Sequence, residues 1–431
     1  MTRSTRLRLS AMAVLPVLGA GLLAGCGSSD SSNKSGSEPQ TITFSYQIAN
    51  PNAKSVFATL SQQYEKAHPG VTIKTNPIAL NTYGSTLTTQ LQAGNGPDVF
   101  FVNAGSGQAG SVTELAQAGK LLDLTGKVNA DVVPDNAKDL FYSKDKLVAI
   151  PPYLAPTGLI YSPAAAKDAG VTVDATSTLD DVIAQCKAAQ DKGKAIFGLA
   201  GAMSPNTAIF TSALAADTVY GPEPDWNQKR AKGEVKFATS DGWKAALQAM
   251  KDLYDSKCFQ DGAAGAGFDA LTNGMGQGKM VSFSAPGGGA KDIMDSTHGA
   301  VTLTVLPMPA PSGYQTYLMA GTPDAVAGNA KTKSPKLVED FLNWMTQPAQ
   351  SKAAADASGE VPVGKVDTSA LLPQYAGVAD LLAQDKTAAY GYLSWPNGEV
   401  YNALGTGVTG LLTGQKSVDD VLKSMDDAWG N

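Results

Sequence analysis

The residues able to do chemistry are few. Beyond residue 8 the chain holds one arginine, Arg230, and only two histidines, His68 and His298, far apart in sequence. Sites for carboxylates and phosphates commonly use a guanidinium fork, whose donors match both oxygens. Scarcity of arginine therefore disfavours an amino acid, peptide or phosphate ligand, and scarcity of histidine disfavours a His-rich metal site. A neutral, hydroxyl-rich ligand is the easiest fit, with no cofactor, metal or catalytic residue expected. Three stretches spell reactive motifs. Gly105-Ser106-Gly107-Gln108-Ala109-Gly110 reads G-x-G-x-x-G after a strand, as in dinucleotide sites. A glycine-rich binding loop explains the same letters. Ser143-Lys144-Asp145-Lys146 has the S-x-x-K spacing of exported serine enzymes, but lies in a charged turn without partner motifs. Gly359 to Lys365 is spaced like a phosphate loop, yet Val366 stands where Ser or Thr is required and Pro362 intrudes. A competing reading is a lipid-anchored glycoside hydrolase working with two carboxylates. Acids are abundant and no motif marks a pair.

The elements that would position such residues follow from pattern. Ile42 to Tyr46, Val71 to Lys74 and Val99 to Val102 read as strands, separated by helices at Ala53 to Ala67 and Tyr83 to Ala93. That alternation predicts an α/β fold with mainly parallel sheets flanked by helices. Pro151, Pro152 and Pro156 fix an extended segment before the strand Leu159-Ile160-Tyr161, a natural crossing between domains. Thr178 and Asp181 form a capping-box pattern, and Ser417 caps the last helix. Met280 to Phe283 and Val301 to Leu306 read as later strands, and the stripe Leu337, Val338, Phe341, Leu342, Met345 as a helix. Open α/β sheets bind ligands beyond the carboxyl ends of their strands. The loops there hold Tyr46, Gln47 and Asn50, Asn103 and Ser106, Tyr153, Met203, Ser204 and Asn206, then Ser284, Pro286, Gly287 and Gly288. Sugar-like ligands need aromatic plates against apolar faces, and Tyr153, Trp395 and Tyr401 are the candidates. Packing is the alternative for each. Trp243 and Trp429, on clear helix stripes, read as core.

The first residues suggest where the chain works. Arg3, Arg6 and Arg8 precede an apolar run from Leu9 to Leu23, the layout of a secretory signal over residues 1–25. Leu23-Ala24-Gly25-Cys26 resembles a lipobox, which implies lipidation of Cys26. Residues 26–39 contain a Ser, Gly, Asn and Asp-rich tether. The expectation is a protein exported and lipid-anchored, through palmitate or a similar chain, to the outer face of the cytoplasmic membrane. The formal net charge is -6, and -9 once Arg3, Arg6 and Arg8 are discounted, which disfavours nucleic acid. In an oxidising space Cys186 and Cys258 suit a disulfide. Cys186 also shares a stripe with Leu179, Val182 and Ala189, so a buried thiol fits as well.

Several phrases together resemble one family. Tyr64-Glu65-Lys66-Ala67-His68-Pro69-Gly70-Val71, Leu91 to Val99 and Lys146-Leu147-Val148-Ala149-Ile150-Pro151 look like the N-terminal lobe of extracellular solute-binding proteins, the maltose-binding-protein-like sugar receptors of ABC importers. Gly278-Lys279-Met280, Val305-Leu306-Pro307, Ala320-Gly321-Thr322 and Gly414 to Asp420 continue the likeness in order. The resemblance implies a two-lobed fold crossed three times. Its other crossings fall near Tyr317 to Ala320 and Gly364 to Thr368. The lobes are then 40–154 with 319–366, and 155–318 with 367–431. It also implies a monomeric receptor, not an enzyme, that passes a neutral sugar or oligosaccharide to ABC permease subunits. Tyr401 matches a stacking aromatic of the family. Where many relatives have a tryptophan, this chain reads Ser284-Ala285-Pro286-Gly287-Gly288-Gly289, whose glycines suggest close approach of backbone to ligand.

Overall fold

A computed structural model describes residues 40–48, 55–108, 110–364 and 366–430. Cys26, the leader, the tether and Asn50 lie outside the described residues. In chain order the strands are β1 (Gln40–Ile48), β2 (Val71–Ala79), β3 (Val99–Asn103), β4 (Tyr142–Ser143), β5 (Lys146–Leu147) and β6 (Ala155–Tyr161). There follow β7 (Ala195–Gly198), β8 (Met280–Pro286), β9 (Thr304–Leu306), β10 (Leu318–Gly321), β11 (Asp324–Gly328) and β12 (Thr387–Ala388). β4 and β5 form a small hairpin around Lys144 and Asp145, both left-handed, which makes the S-x-x-K stretch a tight turn.

The first sheet has the order β11-β3-β1-β2. β1 runs parallel to β2 and β3, whereas β11 is antiparallel to β3. Val99, Phe100, Phe101 and Val102 are all buried, as befits a strand covered on both faces. The helix Val56–Ala67 lays Val56, Phe57, Leu60 and Tyr64 onto this sheet, and Ser55 caps it by accepting from Phe57 N–H. It stops where His68 stacks on Tyr64 and bonds its carbonyl, so His68 is spent on a helix end. The helix Pro335–Met345 buries Leu337, Val338, Phe341, Leu342 and Met345, the stripe its sequence predicts.

The second sheet runs β12-β10-β6-β8-β7, with β9 also pairing β6. It is mixed rather than mainly parallel: β6 is antiparallel to β8, β9 and β10, and the parallel pairs are β7 with β8 and β10 with β12. Topology gives the reason. β6 enters from the interlobe side, where β8 ends, so it has to run against it. β11 enters the first sheet from that side too, and runs against β3. Two apolar clusters fill the second lobe, one on each face of this sheet, and the larger gathers Tyr220, Trp226, Phe237, Trp243 and Trp395. Both capping boxes form, Thr178 with Asp181 and Ser417 with Asp420. Cys186 and Cys258 are bonded, with Cα atoms 4.8 Å apart.

β10 lies wholly in the second sheet, so the chain changes sheets at Thr322 and Pro323, a little beyond Tyr317 to Ala320, where the resemblance puts the crossing. Leu154 of the first crossing and Val361 pair through reciprocal backbone bonds of 2.8 and 3.0 Å. Val361 already packs in the second lobe's smaller cluster, so the third change falls ahead of Gly364.

Candidate interlobe binding site

Because β11 and β6 start at the edge where β3 and β8 end, their first residues meet the same space as the loops after those strands. Asp324, first in β11, is the cross-strand partner of Asn103, last in β3. Tyr153 of the first crossing donates its hydroxyl to Asp324 Oδ2 at 2.6 Å. Both side chains are half-buried, so they line the cleft floor without being sealed from it. Burial raises the Asp324 carboxyl above the usual range, and the Tyr153 bond pulls it partly back.

Behind them Glu360 joins the lobes. It follows the first-lobe helix Pro348–Ser358 and accepts from Gly288 N–H at 2.9 Å and from the Tyr375 hydroxyl at 2.7 Å. Gly288 opens the helix Gly288–Ser296, whose N-terminal dipole favours an anion. Burial nevertheless pushes Glu360 up to about 8, with those hydrogen bonds opposing and Asp324 and Asp292 adding to the rise. Tyr390 completes the floor, bonding Thr157 and donating to Ala155 O at 2.7 Å. Among the described residues the titratable groups acting on one another here include Tyr153, Asp324, Glu360, Tyr375, Tyr390, Tyr392 and the more distant Asp292, and the nearby basic group is Lys291 beside Gly359.

Farther out, the two lobes touch along a seam. The loop after β3 lies on the segment Tyr390 to Trp395. Ser106 N–H and Gly107 N–H donate to Leu393 O at 2.8 and 3.2 Å, and Ser106 Oγ to Trp395 O at 2.6 Å. A Cβ on Gly107 would stand 1.6 Å from Tyr392 O, and one on Gly105, at φ +70°, 2.1 Å from Leu393 O. The G-x-G spelling is thus a backbone-to-backbone contact between lobes rather than a nucleotide loop. Beneath the seam the Tyr392 and Tyr401 rings lie 4.5 Å apart, and the Tyr401 hydroxyl donates to Pro205 O at 3.2 Å.

The structure sets Asn103 and Tyr153 beside Asp324 and Ser106 in the seam, buries Tyr401 beneath the seam, puts Met203 and Ser204 at the start of the second-lobe helix Ser204–Ala215, and takes other expected site residues elsewhere. Tyr46 is core, its ring 5.4 Å from those of Phe44 and Phe57. Gln47 next to it is half-buried. Trp395 is fully buried, edge-on to Phe237 and bonded through Nε1 to Tyr220 at 3.2 Å, so it is no plate for a ligand. The Gly and Pro breaks around it hide helical periodicity, not burial. Asn206 spends its carbonyl on Ala200 N–H, and Ser284 is buried with its hydroxyl unpaired. Pro286 is half-buried at the end of β8. Gly287 and Gly288 are required by packing: a Cβ would meet the Tyr375 hydroxyl at 2.3 Å or Ser358 O at 2.4 Å. Their amides go to Pro156 O and Glu360, so they offer the ligand nothing of the kind expected. Met203, by contrast, is exposed.

Sequence reasoning missed Asp324 and Glu360. The rule of looking after strands fails for β11, which runs backwards and so presents its beginning. Two hollows, of about 300 Å³ beside Trp226 and about 360 Å³ beside Ser204 and Lys416, lie within the second lobe rather than on the floor. They do not gather converging groups as the floor does. Arg230 is locked away, paired with Asp426 at 3.2 Å and lying 5.1 Å over the Trp429 ring. Among the described residues no group of three His, Cys, Asp or Glu is placed to hold a metal ion.

Residues 50–352 match the family of bacterial extracellular solute-binding proteins. The chain belongs to that family. No curated protein matches the sequence. Among solved structures, this solute-binding protein is similar to one from the thermophilic bacterium Caldanaerobius polysaccharolyticus, described in work on xylan utilization. That pair shares 19% identity at a TM-score of 0.76, over 90% of this chain and 99% of that one. The GacH receptor of Streptomyces glaucescens, solved unliganded and with acarbose, is 18% identical at a TM-score of 0.72, over 90% and 97%. A chitin oligosaccharide binding protein is 19% identical at 0.72, over 91% and 98%. At these identities the likeness is one of fold: the two-lobed α/β architecture of solute-binding proteins. No helix among the described residues is long and apolar enough to cross a membrane.

Proposed function

We propose that this solute-binding protein captures a neutral carbohydrate between its lobes and delivers it to an ABC importer. One observation carries the reading: the cleft floor presents a half-buried carboxylate and phenols with no arginine or histidine among them, while the chain's one arginine beyond residue 8 is tied to Asp426. Such a floor repels anions and accepts hydrogen bonds from hydroxyls. Acarbose and chitin oligosaccharide, bound by proteins of the same fold, are ligands of that kind.

The reading includes binding without catalysis. Glycoside hydrolysis uses two carboxylates flanking the bond. Here Glu360 is buried with both oxygens engaged, so it cannot pair with Asp324 as a second free carboxylate. We also place the protein, as a monomer, on the outer face of the cytoplasmic membrane. Cys26 would carry the lipid and residues 27–39 the leash, with lobe closure presenting the loaded state to permease subunits. Export in the presence of a lipoprotein-processing inhibitor tests the anchor; unchanged processing would refute it.

The ligand is tested by thermal shift of residues 40–431 against neutral mono- and oligosaccharides, amino acids and polyols, with product analysis. A sugar at one hundred times its Kd should stabilise by about 2.7 kcal/mol and be recovered intact. Cleavage would make the protein a hydrolase, and binding of charged solutes alone would overturn the neutral-ligand argument.

A further inference from the structure

We infer that Asp324, positioned by Tyr153, accepts a hydrogen bond from one ring hydroxyl of the bound sugar and thereby decides which hydroxyl the cleft demands. The inference rests on the receptor reading and sharpens it.

The geometry makes Asp324 unlike the other acids of the region. A carboxylate offers about four acceptor positions on two oxygens. Tyr153 takes one on Oδ2 at 2.6 Å, whereas among the described residues no hydrogen bond reaches Oδ1, and the residue is half-buried rather than fully buried. Glu360, by contrast, is filled by Gly288 and Tyr375. Among the described residues no salt bridge consumes the Asp324 charge, and the ionisable groups acting around it there, Tyr153 and Glu360 from the crossings and Tyr390 and Tyr392 from the second lobe, bring no cation. The position is fixed twice. Register places Asp324 opposite Asn103 at the ligand edge of the first sheet, and the Pro323 carbonyl accepts from Ala104 N–H at 2.9 Å, pinning the crossing to the loop that carries Ser106. An acceptor held this way reads stereochemistry: an equatorial hydroxyl that meets Oδ1 satisfies it, and its axial epimer leaves a half-buried carboxylate dehydrated and unpaired. Tyr153 acts through Asp324 by holding the carboxylate plane, and is a positioning residue.

The test uses the intact chain with the neutral sugar that binds it, together with the singly deoxygenated derivatives of that sugar. Asp324→Asn keeps size and the Tyr153 bond, so the unliganded melting temperature should hold while affinity falls 10- to 100-fold. The wild type should discriminate one deoxy derivative by a similar factor, and Asp324→Asn should lose most of that discrimination while treating the other derivatives as the wild type does. Tyr153→Phe should weaken binding several-fold but retain the same preference. Equal affinity of Asp324→Asn and wild type, or an unchanged deoxy profile, overturns the inference and leaves the receptor reading standing. If the wild type binds no neutral sugar, the receptor reading falls and this inference with it.

Discussion

Replacing Gly107 by alanine should hold the lobes apart. Gly107 has no left-handed backbone, so the added methyl acts by bulk alone. Its carbon would sit 1.6 Å from Tyr392 O. Carbon–oxygen contacts settle near ~3.4 Å, so the two backbones must part by roughly 1.8 Å. Bonds now at 2.6, 2.8 and 3.2 Å, from Ser106 and Gly107 to Leu393 and Trp395, would then exceed hydrogen-bonding distance. Three such bonds at ~1 kcal/mol each amount to ~3 kcal/mol. That is roughly a 150-fold bias toward the open arrangement. Small-angle scattering should show a larger radius of gyration for Gly107→Ala in the presence of ligand, and calorimetry a Kd weaker by about two orders of magnitude. Each lobe keeps its own core, so circular dichroism should be unchanged. An identical radius and Kd would mean that the seam is not part of the closed state and would refute the reasoning.

Two further outcomes follow from buried chemistry. Glu360 has an ordinary carboxyl in the unfolded chain and about 8 in the fold, so folding takes up a proton between those values. Stability is then fully present below about pH 4.5 and is lost as pH rises through 8, by an amount on the order of 4 kcal/mol. Urea midpoints of Glu360→Gln measured from pH 5 to 9 should decline less than those of the wild type, and parallel curves would contradict the assignment. Opening the Cys186–Cys258 bond, which spans 72 positions, should cost roughly 4 kcal/mol by the chain-entropy model. Melting with and without reductant measures this, and two free thiols in the unfolded, unreduced protein would remove the bond altogether.

Most of the fold was legible because its signals are local. The stripe Leu337 to Met345, the Thr178–Asp181 box and the Ser417 cap each depend on neighbours a few positions away, and each stands in the structure. The rarity of arginine was likewise a compositional fact, and Arg230 paired with Asp426 leaves it intact. The site was less legible. Looking beyond strand ends named Asn103, which stands opposite Asp324, and Ser106, which lies in the seam, whereas the search for aromatic plates chose Trp395 because an aromatic among glycines and prolines shows no period from which burial is read.

By itself, then, the sequence determined the elements, their caps, the two-lobed α/β class and the poverty in arginine that suits a neutral ligand. Only the tertiary structure decided strand direction. A chain entering a sheet from the cleft has to run against strands that end there, which makes the second sheet mixed and brings Asp324 beside Asn103. It also decided why glycines stand at 105, 107, 287 and 288: each lies where backbone or ring from a segment distant in sequence leaves no room for a Cβ. Contacts between residues hundreds of positions apart have no local pattern, so their reasons appear only when the lobes are assembled.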